Sequence, residues 1–166
     1  MRTTDTHIYF WSGIYSQWEP ATFKIDGITY NCAEQYMMAE KARLFKDDDA
    51  LLGIMTTESP AQQKAIGRKV VGFNDAEWFK IARLVVYRGT LGKFYQNGAL
   101  LNKLMNTENR IIVEASPQDK IWGVGLHFTD DKILDEANWQ GTNWLGEAIM
   151  QVRSDLRTME DVILGR

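Results

Sequence analysis

The chain has 166 residues, 45% hydrophobic and 25% charged, with a net charge of −3; it holds enough apolar material to fill a core and is too apolar for a disordered tail. One cysteine and two histidines exclude an internal disulfide framework and argue against a metal site. Its apolar runs fall far short of the roughly 18 residues a membrane span needs, and no basic-then-apolar leader opens the sequence, so the expectation is a cytoplasmic protein without membrane attachment, cofactor or stable protein partner.

In chain order, His7–Ser12 (HIYFWS) reads as a short buried strand. Across Asp26-Gly27, Phe23 and Ile25 face Tyr30 and Ile28, the dipeptide and alternation of a two-residue type I′ hairpin. Asn31 followed by Glu34 has capping-box spacing and opens a helix from about Cys32 to Lys46. Asp47-Asp48-Asp49 leads into a short helix to about Met55. Ser59-Pro60 and Asn74-Asp75 each start another, the second running to about Tyr95. A brief helix near Ala99–Met105, a strand at Arg110–Ala115, and a Gly-punctuated loop or edge strand at Ile121–Leu126 follow. Thr142 is the expected cap of a last helix to about Leu156, with Arg157–Arg166 a frayed or loosely packed tail. The sum is a mostly helical α+β single domain around a small β-sheet, spanning residues 1–166 with its core at about 7–156.

Charge is unevenly spread. Residues 64–93 hold Lys64, Arg68, Lys69, Lys80, Arg83, Arg88 and Lys93 against Asp75 and Glu77, a local +5 that leaves −8 elsewhere. Such a segment suits phosphates on a small ligand or a short stretch of nucleic-acid backbone, or is simply a pair of solvated helices. The chain lacks a phosphate loop, a dinucleotide fingerprint and a nucleophile elbow, which leaves carboxylates, aromatic walls and cations as the chemistry. Glu34, Met38, Lys41 and Phe45 fall on one helical stripe, with the Glu34 and Lys41 backbones roughly 10 Å apart. Glu34 is either an ionised carboxylate facing a ligand or only the capping-box partner of Asn31. Asp119, before Trp122-Gly123-Val124-Gly125, is either an acid beside backbone that approaches a ligand or a turn cap. Trp78, Trp122, Trp139 and Trp144 are core or stacking residues. Asn143 is a first-turn polar group or a ligand contact, and Cys32 reads as a small buried residue.

Taken together these segments resemble the NADAR family of YbiA-like N-glycosidases. The resemblance runs from about Tyr9 to Leu156: Asp26-Gly27-Ile28-Thr29-Tyr30 into Ala33-Glu34-Gln35-Tyr36, then Lys41-Ala42-Arg43-Leu44-Phe45 and Lys64-Ala65-Ile66-Gly67-Arg68. Trp78, Lys93-Phe94, Val113-Glu114-Ala115-Ser116, Asp119–Leu126 and Trp139–Gly146 complete it. It implies hydrolysis of an N-glycosidic bond between ribose C1 and an exocyclic amine. The substrate is ADP-ribosylated guanine in DNA or RNA or, alternatively, a ribosylamino-pyrimidine phosphate of riboflavin biosynthesis; a non-catalytic module binding ADP-ribose or NAD is a third reading. It also implies Glu34, Trp78 and Asp119 at or near the site. Trp78 and Trp122 are then stacking walls for base or sugar, Gly123 a place where backbone approaches the substrate, Lys64 and Arg68 phosphate contacts, and Asn143 a further contact. Lys41 either neutralises phosphate and positions Glu34 or attacks ring-opened ribose as an amine. Two departures stand out. Where many members have a Ser-Asn pair after the first strand, this chain has Ser12-Gly13-Ile14-Tyr15 and Ser16-Gln17-Trp18, so Ser12, Ser16 and Trp18 are the candidate contacts there; and Val124 stands where some relatives carry an acid.

Overall fold

A computed structural model describes residues 1–164. They carry five strands, β1 (Arg2–Thr3), β2 (His7–Phe10), β3 (Phe23–Ile25), β4 (Ile28–Tyr30) and β5 (Ile111–Glu114). Six α-helices complete the fold: α1 (Ala33–Leu44), α2 (Asp48–Thr56), α3 (Pro60–Gly67), α4 (Asp75–Tyr95), α5 (Gly98–Met105) and α6 (Trp144–Leu164). The fold is α+β and mostly helical. The strands make two sheets rather than one, of order β1-β2-β5 and β3-β4. The chain divides into two compact units, Gln17–Asn97 and Met1–Ser16 with the chain from Gly98 onward.

In the Gln17–Asn97 unit, Asp26 and Gly27 both take positive φ (51° and 80°), which the type I′ turn demands. Phe23 pairs Tyr30 and Ile25 pairs Ile28 as the alternation predicts. Helix α1 is the centre of this unit, packed by α2, α3 and α4; residues 33–39 and Ala42 are all buried, as expected of a helix covered nearly all round. Glycine makes room for a ring where α4 meets α1: a Cβ on Gly89 of α4 would lie 2.7 Å from Cδ1 of Tyr36. Ser59 and Asn74 cap α3 and α4 as predicted, their side-chain oxygens accepting from Gln62 and Glu77 N–H. The start of α1 differs. Its N-cap is Cys32, with no side-chain cap bond; the Asn31 N–H donates to Gln35 Oε1 at 2.8 Å, and the Glu34 N–H donates to the Gln17 carbonyl at 3.0 Å. The expected Asn31–Glu34 capping box is therefore replaced by Gln35 and a carbonyl from the preceding loop.

In the other unit, β2 pairs β5 in parallel, Phe10 opposite Glu114, and β1, which no sequence signal announced, adds antiparallel to β2. Tyr9, Val113, Ala115, Val124, Leu126 and Ile133 form its core. Ile121–Leu126 is a loop, not a strand. Helix α6 begins at Trp144, not after a Thr142 cap: Trp144 and Leu145 N–H groups donate to the Ile121 and Trp122 carbonyls, and Glu147 N–H to that of Asn143. Thr142 Oγ1 instead donates to the Ile121 carbonyl. The expected loose tail is helical to Leu164; its last two residues lie outside the described residues.

Candidate functional site

The candidate residues divide between the two units. In the Gln17–Asn97 unit, Glu34 sits on the first turn of α1 with only 3% of its surface exposed. Lys41, two turns further along, is partly buried, and its Nζ lies 4.0 Å from the Phe73 ring centroid and 6.0 Å from that of Trp78. Phe45 packs edge-on against Phe73 at 5.3 Å. Burial pulls the Lys41 ammonium below the usual lysine range; the Asp75 and Glu34 carboxylates act in the opposite direction, and Arg68 adds to the lowering. The α1 stripe thus brings Glu34 and Lys41 within electrostatic reach of each other. Trp78 is 4% exposed, a core residue whose ring backs the lysine.

Trp18 is 43% exposed, and the Lys64 ammonium lies over its ring at 5.8 Å. Arg68, exposed, closes α3, its backbone N–H donating to the Lys64 carbonyl. The basic stretch is smaller than its composition: Lys80 pairs with Glu77 at 2.6 Å and Arg88 with Asp26 at 2.9 Å. Lys93 is buried at 2% exposure, its ammonium brought down to about 8 by burial against the opposing pull of Glu19 and Cys32. Cys32 is buried as read, its Sγ donating to Gln63 Oε1 at 3.2 Å, and burial raises its thiol, so a thiolate nucleophile is disfavoured.

In the other unit, Asp119 Oδ1 accepts from the Ile121 and Trp122 N–H groups at 2.9 and 2.8 Å, the turn-capping geometry given as one of its two readings. Trp122 meets Trp144 edge-to-face at 5.8 Å. A Cβ on Gly123 would come within 2.8 Å of the Glu114 carbonyl, so this glycine is required by the approach of the loop to its own chain. Asn143, at φ 54°, donates its amide to the Ile112 carbonyl and accepts from Glu114 N–H. Both ends of that amide thus bond β5, holding the residue before α6 against the strand. Ser12 is exposed; Ser16 is partly buried, its N–H donating to the Gly13 carbonyl.

Phe73 went unread in the sequence. It precedes the Asn74 cap of α4, and Trp78 is the fourth residue of that helix, so the two hold the positions of a hydrophobic staple; that pattern was the available signal.

A family model described as the NADAR domain matches residues 8–157, a range that runs through both units. N-glycosidase R617 of Acanthamoeba polyphaga mimivirus is 39% identical, the alignment covering 92% of this chain and 97% of that protein. Riboflavin biosynthesis protein PYRR, chloroplastic, of Zea mays is 29% identical over 87% of this chain and 23% of its own length. The NMR structure of the E. coli protein YbiA matches with a TM-score of 0.78 at 26% identity, over 96% of this chain and 89% of that one.

Proposed function

The chain belongs to the NADAR domain family, and from that membership we propose that it is an N-glycosidase that splits ribose C1 from an exocyclic amine, removing ADP-ribose from ADP-ribosylated guanine in DNA or RNA. The observation that carries the reading is the α1 stripe: a nearly fully buried carboxylate, Glu34, coupled to a partly dehydrated lysine set against aromatic rings. Cleavage passes through a transition state with positive charge at C1 and the ring oxygen. A fixed carboxylate in a poorly hydrated place stabilises that charge far better than water does, and it orients or deprotonates the attacking water. The departing amine takes its proton from a second acid or from solvent. Trp18 with Lys64 over its ring, and Arg68 one turn further along α3, make the pairing of flat surface and cation that suits a nucleoside diphosphate.

A second substrate, a ribosylamino-pyrimidine phosphate, is favoured by the similarity to a protein named for riboflavin biosynthesis. Both substrates present ribose C1 joined to an amine on an amino-oxo-pyrimidine ring. Incubation of the purified protein with each, and mass analysis of the products, tests the proposal. Release of ADP-ribose, leaving unmodified guanine within the oligonucleotide, supports the first reading, and release of the free aminopyrimidine supports the second. Calorimetric binding of ADP-ribose with no cleavage of either substrate leaves a non-catalytic module.

A further inference from the structure

Lys41 carries two possible roles, ammonium or amine, and its surroundings bear on the choice. Its side chain reaches from α1 to the start of α4, where the Nζ lies over the face of Phe73 at 4.0 Å and faces Trp78 at 6.0 Å. These two rings stand at the staple positions either side of the Asn74 cap. Trp78 is in the core, whereas Phe73 is 38% exposed and follows Gly72, whose φ of +75° lets the chain turn before the helix. Phe73 has Phe45 against one edge and the lysine nitrogen at its face.

We infer that Phe73 is a positioning residue for the Lys41 amine, a ring that fixes where the nitrogen sits and sheds water from it. The inference deepens the glycosidase reading and rests on it only for its use, not for its geometry. Two effects of the ring oppose each other: its π face favours the ammonium, and its bulk excludes water and favours the neutral amine. The charged groups acting on the nitrogen are Glu34 from α1, Asp75 from the start of α4 and Arg68 from the end of α3; burial outweighs the two carboxylates. Phe73, whose ring centroid lies 4.0 Å from the nitrogen, is one of the groups that bury it, and on this inference its exclusion of water exceeds the pull of its π face.

The test reads the lysine directly and needs no substrate. Amines of the folded protein are acylated with isotopic acetic anhydride across pH, and peptides are quantified by mass spectrometry, with the exposed Lys46 and Lys69 as internal references. In the wild type, Lys41 is expected to titrate below both references. Phe73→Ala should raise its midpoint and cut its neutral fraction at pH 8 roughly threefold. Phe73→Leu, which keeps the bulk and lacks the π face, should hold the midpoint at or below that of the wild type. Circular dichroism checks that each variant is folded. A Lys41 midpoint unmoved by Phe73→Ala overturns the inference, as does a Phe73→Leu midpoint that rises with it. A protein without glycosidase activity whose Lys41 still follows this order would refute the proposed function and leave the positioning role standing.

Discussion

Glu34 and Asp119 differ in what their carboxylates do in the structure, and that difference shapes the substitutions that test them. Glu34 is buried on the first turn of α1, so Glu34→Gln keeps the shape and removes the charge. Turnover is expected to fall about 10²-fold or more with the thermal unfolding curve little changed; near-normal turnover in a steady-state assay would remove Glu34 from the chemistry. Asp119 Oδ1 holds two backbone N–H groups, and Asp119→Asn retains that acceptor, so its effect on rate reports charge rather than loop collapse. At this scale the sequence went a good way. Glu34 and Lys41 on one stripe follow from helical spacing, and Cys32, with no histidine nearby to activate it, reads as a small buried residue rather than a nucleophile. Phe73 was not legible because its contact with Lys41 joins a turn to a helix some 30 residues earlier, and the bonds of Asn143 were not, because its partners are strand backbone groups that no spacing rule points to.

Elements whose starts depend on their own residues were readable, and those that depend on distant ones were not. The Asp26-Gly27 turn and the Ser59 and Asn74 caps satisfy their backbones within four residues. The first N–H groups of α1 and α6 are taken by carbonyls of preceding loops, those of Gln17, Ile121 and Trp122, so the local cap signals at Asn31 and Thr142 misled. Helix α4 carries two predictions. Gly89→Ala would ordinarily strengthen a helix interior by about 1 kcal/mol, but the new methyl would lie 2.7 Å from the buried Tyr36 ring. Overpacking of a ring that cannot swing aside costs about 1–3 kcal/mol, so chemical denaturation should show net destabilisation. Lys93 sets a pH dependence. Its folded value of about 8 lies below the ordinary 10.5, so between those pH values the unfolded chain binds more protons and stability rises with pH; below about 8 the full cost of the buried cation is present. Against Lys93→Met as the reference, wild-type unfolding free energy should gain about 3 kcal/mol between pH 7 and pH 10.5. Parallel curves would contradict a neutralising buried lysine.

For the molecule as a whole, the helical α+β class was readable from periodicity. The sheet pairing was not, because β2 and β5 meet in parallel from positions about a hundred residues apart, with the whole Gln17–Asn97 unit between them in the chain. Charge shows the same gap between composition and structure. The +5 of residues 64–93 suggests a broad phosphate-binding face, yet Lys80 and Arg88 are committed to carboxylates and Lys93 is buried. Of the seven basic residues in that stretch, the exposed or half-buried Lys64, Arg68 and Lys69 are the candidates to meet phosphate, on a chain of net charge −3. Each phosphate neutralised on a duplex contributes about −0.9 to the slope of log K against log salt, so binding of a modified oligonucleotide through these three residues should show a slope no steeper than roughly −3. Fluorescence anisotropy between 50 and 300 mM salt measures it. A slope much steeper would mean that phosphate is gripped elsewhere on the chain. A slope near zero, with cleavage intact, would mean that only the ADP-ribosyl group is recognised and that the polymer carrying it is incidental.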